Sequence, residues 1–435
     1  MDAQKNSAKS HRTGKINAVT QTPAAANDRR YRLARMTGRN PHENHRAATP
    51  LELLFDLTFV VSFGIAGSQF AHLVAIGHVW EGTLGFTIAM AAVCWAWINF
   101  TWFASAFDTD DWFYRVTTMV QMVGVVVVAL GLPALFHSLE EGDHVDNRVV
   151  VAGYIVMRVA YITQWIRAAK QDPTYRATAV SYVLFVGLAQ LGWVLVAILD
   201  LPTTAAVIIS VALFAFEGAG PIISERKAAT PWHPHHIAER YGLLTIIALG
   251  EVLLGTVTTV SALVEHQNWS VDAILVVVAG VGITFGIWWM YFMMPSGVLL
   301  ERHSERSFGW GYGHVAIFAA IAAVGAGLHV IAYVIEGEAT IGVLGAILAV
   351  AVPVAVFTTA YFIIYTRLMR EYDPFHIGLF VGTMGALAVA VVLAATGASI
   401  GLCLIIATLA PAVSVVGYET VGHRHQAEAL KRALA

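Results

Sequence analysis

About twelve runs of roughly twenty apolar residues, each almost free of charge, fill this sequence and constrain its fold more than any other feature. As a helix, a run of that length matches the hydrocarbon thickness of a bilayer. Only helices and closed barrels satisfy their own backbone in lipid, and uninterrupted runs this long favour helices. The segments fall at roughly 49–76, 80–106, 113–136, 149–168, 176–199 and 203–222, then at roughly 239–264, 270–294, 311–335, 340–366, 375–396 and 398–418. A composition that is 57% hydrophobic and 13% charged excludes a soluble domain. The expected fold class is all-α, a polytopic transmembrane helix bundle of about twelve helices.

Loop charges give the orientation. Arg115, Arg167, Lys170, Arg176, Arg226, Lys227, Arg302, Arg306, Arg367, Arg370, Arg424, Lys431 and Arg432 all fall in alternate loops or the C-terminal tail. The other set of loops holds Arg148 beside Glu140, Glu141, Asp143 and Asp146. The positive-inside rule then puts both termini in the cytoplasm of a bacterial cell, with the chain in its inner membrane.

The chain also reads as built twice. Glu52, Leu57 and Thr58 match Glu239, Leu244 and Thr245 at one constant offset, and Trp102 matches Trp289 at the same offset. Gly131-Leu132 answers Gly327-Leu328, and Ala160-Tyr161, Arg167 and Asp172-Pro173 answer Ala360-Tyr361, Arg367 and Asp373-Pro374. An even number of helices per half makes these two parallel six-helix repeats. The domains expected are a disordered basic cytoplasmic tail (1–48), a first repeat (49–223), a His/Pro-rich cytoplasmic linker (224–238), a second repeat (239–420) and a cytoplasmic tail (421–435). The linker histidines His233, His235 and His236 read better as a solvated connection than as a metal site. Cys94 and Cys403 lie far apart in apolar runs and read as inert thiols.

Charges inside the spans are the candidate functional groups, because each costs roughly 2.5–3.5 kcal/mol at the centre of a bilayer and requires a partner, water or a proton. Glu52 and Asp56 stand i,i+4 on one face of the first helix. Asp108, Asp110 and Asp111 follow the second helix and Arg115 opens the third, so that these six groups suggest an acidic vestibule on the cytoplasmic side; Asp110 and Asp111 serve equally well as helix caps. Arg158 lies mid-way along the fourth segment, Glu217 in the sixth, and Glu239, Arg240 and Glu251 in the seventh. Arg158 is expected to pair with Asp56 or Glu251. Arg240 and Glu251 are eleven positions apart, which gives a polar stripe continued by Thr258. His314 and His329 in the ninth segment titrate near neutrality, with helix packing the plainer role for His329. Trp80, Trp112, Trp269 and Trp310 read as interfacial belt residues.

Three stretches resemble the bacterial low temperature requirement protein A family: Leu51-Glu52-Leu53-Leu54-Phe55-Asp56-Leu57-Thr58-Phe59-Val60, Trp102 to Asp111 with Arg115 following, and His236 to Glu251. Members usually carry an aromatic residue where this chain has Leu54. The similarity covers about 49–420 and implies a polytopic inner-membrane protein without specifying a biochemical activity.

The function expected is transport or conduction of a proton, ion or small solute, with a non-transporting membrane sensor or scaffold linked to cold growth or stress as the alternative. An enzyme is not expected, since there is no nucleophile–base spacing, zincin motif or phosphate-cradling loop. No cofactor, metal or nucleic acid is implied; the partner is the lipid bilayer.

Overall fold

The computed structural model describes residues 33–43, 46–199 and 201–434. The described residues include twelve helices long and apolar enough to cross a membrane and no strand. They are α1 (Pro50–Ala75), α2 (Val79–Phe107), α3 (Trp112–Glu141), α4 (Arg148–Gln171), α5 (Arg176–Ile198), α6 (Thr203–Ser224), α7 (Pro234–Gln267), α8 (Val271–Phe292), α9 (Ser307–Glu336), α10 (Val343–Met369), α11 (Pro374–Ala395) and α12 (Ile400–Gly417). A short helix (Ser296–Arg302) precedes α9, and a terminal helix (His423–Leu434) follows α12.

Local chemistry sets the helix boundaries. α1 begins with a capping box: Thr49 Oγ1 accepts the Glu52 N–H at 3.3 Å, Glu52 Oε2 accepts the Thr49 N–H at 2.8 Å, and Pro50 takes the first helical position. Asp111 caps α3 by accepting from the Tyr114 N–H, and Ser270 and Ser399 do the same for α8 and α12. α3 and α9 end at Gly142 and Gly337, both left-handed at φ +85° and +77°, which a side chain would strain.

α2 and α9 are apolar on nearly every face and form the centre of the bundle. α1 and α2 meet α7 and α9 there, while α5, α6 and α11 lie outermost. The outer helices present stripes such as Leu184, Leu188, Leu191 and Leu195 to the surroundings, as lipid-facing helices do. Glycines bring backbones together where helices cross: a Cβ at Gly124 would meet the Gly153 carbonyl oxygen at 2.7 Å, and one at Gly255 would meet that of Gly325 at 2.4 Å.

The expected disordered tail is corrected over its last part, residues 1–32 lying outside the described residues. Leu33 to His42 crosses one end of the first-half helices as a strap, with Met36 fully buried. The reason is hydrogen-bond demand, because the last carbonyls of a helix have no partner within it. The Arg39 N–H donates to Ala106 O at 2.9 Å, and the Arg46 guanidinium donates to Ala104 O and Ser105 O, closing the end of α2. Met36 and Gly38 are tied to the end of α4 through Gln171 Oε1 and Asp172 Oδ2, at 2.6 and 2.8 Å. We call this end of the bundle the strap face.

Candidate functional site

The two carboxylates of α1 are fully buried and meet a fully buried cation from the other half of the chain. Arg240 on α7 places Nη1 2.7 Å from Glu52 Oε1 and Nη2 2.6 Å from Asp56 Oδ1. The Trp97 indole N–H of α2 donates to the same Asp56 oxygen at 2.6 Å, and the guanidinium lies over the Trp97 and Phe100 rings. His236, one turn before Arg240, sets Nε2 3.3 Å from Glu52 and Nδ1 3.2 Å from Ser105 Oγ. Ser105 Oγ also accepts the His233 N–H at 3.0 Å. With Nε2 facing a carboxylate and Nδ1 a hydroxyl, the ring is held with its proton on Nε2.

A second charged centre lies within the first half. Arg158 on α4 pairs with Glu217 on α6 at 2.7 Å, correcting the expected Asp56 or Glu251 partner. Asp56 is occupied by Arg240, while the Glu217 side chain of α6 reaches Arg158 between Trp95 of α2 and Trp193 of α5. The Trp95 and Trp193 indoles donate to Glu217 at 2.6 and 2.9 Å, and the Arg158 guanidinium lies 5.0 Å from the Tyr154 ring centre.

The acidic vestibule is corrected as well, because its members are neutralised separately. Asp110, at a left-handed φ of 46°, pairs with Arg115 at the surface at 2.8 Å. Asp111 caps α3 and binds Arg167 of α4. Asp108, buried, accepts the Asp110 N–H at 2.8 Å and lies 3.8 Å from Arg39 of the strap.

Burial, reinforced by the nearby Glu52 charge, pushes the Asp108 carboxyl up to about 6. An acid raised on folding is stabilising when protonated, so this contribution is lost as pH rises from about 4 to 6 and stays lost above. Asp108→Asn keeps an acceptor for Asp110 and is expected to raise the thermal midpoint in detergent at pH 8, where the parent must hold a buried carboxylate. The gain should vanish near pH 4. An equal effect at both pH values would contradict it.

The remaining candidates are scattered. Glu239 is exposed beside a surface recess with His42, His235 and Glu301. Glu251 is half-buried midway along α7, its oxygens facing Gly64 of α1, with no hydrogen bond or ion pair among the described residues. It shares the α1-facing side with Arg240, whereas Thr258 is exposed, so the stripe stops at Glu251. His314 is fully buried and satisfied: Nδ1 donates to Trp310 O at 2.7 Å and Nε2 accepts the Tyr291 hydroxyl at 3.1 Å. His329 Nε2 has no partner among the described residues. The linker histidines separate, His233 capping α7, His235 meeting Glu301 at 3.0 Å and His236 serving the charged centre. Trp80, Trp112 and Trp269 are exposed as belt residues would be, but Trp310 is buried against Tyr241.

Sequence reasoning missed the cavity beside these centres. It holds about 230 Å³ between α2, α4, α5 and α6 of the first half, the linker, and the start of α9. Its wall is largely aromatic: Trp165 stacks on Tyr182 at 4.2 Å, while Trp95 meets Tyr312 and Trp102 meets Trp232 edge to face. Glu225 and the exposed Glu305 lie at the strap-face end. The signal was there in the aromatic density of 95–103 and 161–182, which reads equally as core.

These features define an integral membrane protein, a twelve-helix bundle whose buried charges are joined in ion pairs next to an aromatic cavity. The sequence profile of the bacterial low temperature requirement A protein (LtrA) family matches residues 47–411, and the chain belongs to that family. It is 24% identical over 288 residues to the uncharacterised protein RA0937 of Rhizobium meliloti (strain 1021), an alignment covering 62% of this chain and 66% of that protein. No solved structure matches it significantly.

Proposed function

We propose that this protein is a carrier of the bacterial inner membrane that moves a small solute, not an enzyme, and that the cavity between its halves is the solute site. The observation that carries the reading is the cavity's composite wall, drawn from four helices of one half and from the linker and α9 of the other. Relative rocking of two halves around such a site is how many carriers expose it to each side in turn. Shared neighbour order supports a parallel repeat: in each half the first helix packs on the second and third, the third on the fourth, the fourth on the fifth and the fifth on the sixth. α2 departs from its counterpart by joining α7 and α9 at the centre, whereas α8 packs on α12. The basic loops favour a cytoplasmic strap face.

Glu251 is the candidate for coupling to protons. Glu52, Asp56 and Glu217 are each paired with an arginine, while Glu251 has no such partner among the described residues. A lone carboxyl at that depth is the group most readily protonated and released.

The test is flux into proteoliposomes of small cations, anions and neutral solutes under imposed proton, sodium and voltage gradients. Uptake above protein-free vesicles is expected, with Glu251→Gln reducing proton-driven uptake at least tenfold at unchanged thermal midpoint. Vesicles that take up nothing under any gradient would defeat the carrier reading.

A further inference from the structure

We infer that the aromatic cavity is a binding site for an organic cation, a quaternary or protonated amine carrying apolar groups. The inference rests on the carrier reading for its site and adds the chemical class of the solute.

The wall offers negative potential and few donors. The hydroxyls of Tyr161, Tyr182 and Tyr312 donate to Asn99 O, Glu225 Oε1 and Gly218 O at 3.1, 2.9 and 3.1 Å. The indole N–H groups of Trp95 and Trp102 donate to Glu217 and to the Tyr241 hydroxyl, and the Asn99 amide donates to Trp95 O. With these protons turned into the protein, the side chains offer the cavity ring faces and oxygen lone pairs. The donors on the wall without an acceptor among the described residues are the Trp165 and Trp232 indole N–H groups and the Ser304 and Ser307 hydroxyls, all of them neutral.

Charge agrees with this. Glu225 and Glu305 line the cavity, and no lysine, arginine or histidine does so among the described residues. Arg158, behind Tyr161, is paired with Glu217. Glu225 is positioned by the Thr230 N–H and hydroxyl and by Tyr182, so a carboxylate is fixed where the linker meets α6. An anion here would face π clouds and carboxylates. A soft cation gains from both, because ring faces attract positive charge by about 0.5–1 kcal/mol each when exposed and about 2 or more when water is excluded. Small, hard ions are disfavoured, since aromatic walls do not replace a hydration shell.

The test measures binding to the full chain in detergent by tryptophan quenching and calorimetry. Benzyltrimethylammonium is the probe, with benzyl alcohol and phenylacetate as neutral and anionic counterparts. The cation should bind at least tenfold more tightly than either counterpart. Glu225→Gln, which retains the shape and an acceptor, should weaken it at least tenfold. Phe308→Leu, which keeps apolar bulk at the half-buried rim but removes a ring, should weaken it severalfold and gives an independent reading should Glu225→Gln disturb the linker. Equal binding of cation and alcohol, tighter binding of the anion, or indifference to both substitutions in folded protein overturns the assignment. Flux separates this from the carrier reading: cation binding without uptake of any solute removes transport and leaves the site, whereas uptake of anions or neutral solutes without cation binding removes the site assignment and leaves transport.

Discussion

Arg240→Met is expected to destabilise the protein by about 3–5 kcal/mol, the cost usual for stranding one side of a buried ion pair. The arginine is the shared counter-ion of Glu52 and Asp56, and all three are fully buried. Removing it leaves two carboxylates one helical turn apart without their cation, so desolvation and mutual repulsion act together. His236 reaches Glu52 but not Asp56, and the Trp97 indole offers Asp56 one neutral donor. Asp56→Asn should cost less than Arg240→Met, because Glu52 still neutralises the guanidinium. The triple variant Glu52→Gln, Asp56→Asn, Arg240→Met should recover much of the loss, since neutral groups of similar shape need no counter-ion. Thermal midpoints in detergent measure all three. An Arg240→Met protein as stable as the parent would mean that water or lipid headgroups already reach these carboxylates.

The second large effect is steric. A Cβ on Gly325 of α9 would lie 2.5 Å from Glu251 O and 2.6 Å from its carbonyl carbon, and one on Gly255 of α7 would lie 2.4 Å from Gly325 O. The obstacles are backbone atoms of a helix, which no rotamer change can clear. Gly325→Val must separate α7 from α9 at the centre of the bundle, and overpacking of about 1–3 kcal/mol per site is a lower bound when backbones collide. We expect no monodisperse protein on gel filtration. Gly250→Ala is the control on the same helix: nothing lies within 4 Å of its Cβ, and alanine is the better helix former. It should be neutral or slightly stabilising, and equal damage from both substitutions would refute the close-approach argument.

The spans and the burial of Glu52 and Asp56 were legible in the sequence, because an apolar run of membrane length and an i,i+4 pair are local patterns. Partner choice was not. Arg158 had several acids within plausible depth, and only the three-dimensional arrangement that brings the Glu217 side chain of α6 to it made the choice. Trp97 offered no pattern that set it apart from other apolar-span aromatics, yet it holds Asp56. The strap lacks periodicity and so resembles disorder in the sequence; what orders it is the set of oxygen acceptors at the ends of α2 and α4, far along the chain. The cavity escaped for a related reason, since a wall assembled from α2, α4, α5, α6 and α9 has no signature in any one of them.

The bond between α1 and α7 also dictates an order of manufacture. Glu52 and Asp56 leave the ribosome nearly two hundred residues ahead of Arg240. At about 5–20 residues per second, that is roughly 10–40 s of synthesis with no counter-charge yet made. During this interval the opening helix must sit shallowly, keep its acids protonated, or shelter against the insertion machinery. The nascent chain therefore becomes a finished bundle only when its second half arrives to claim the first.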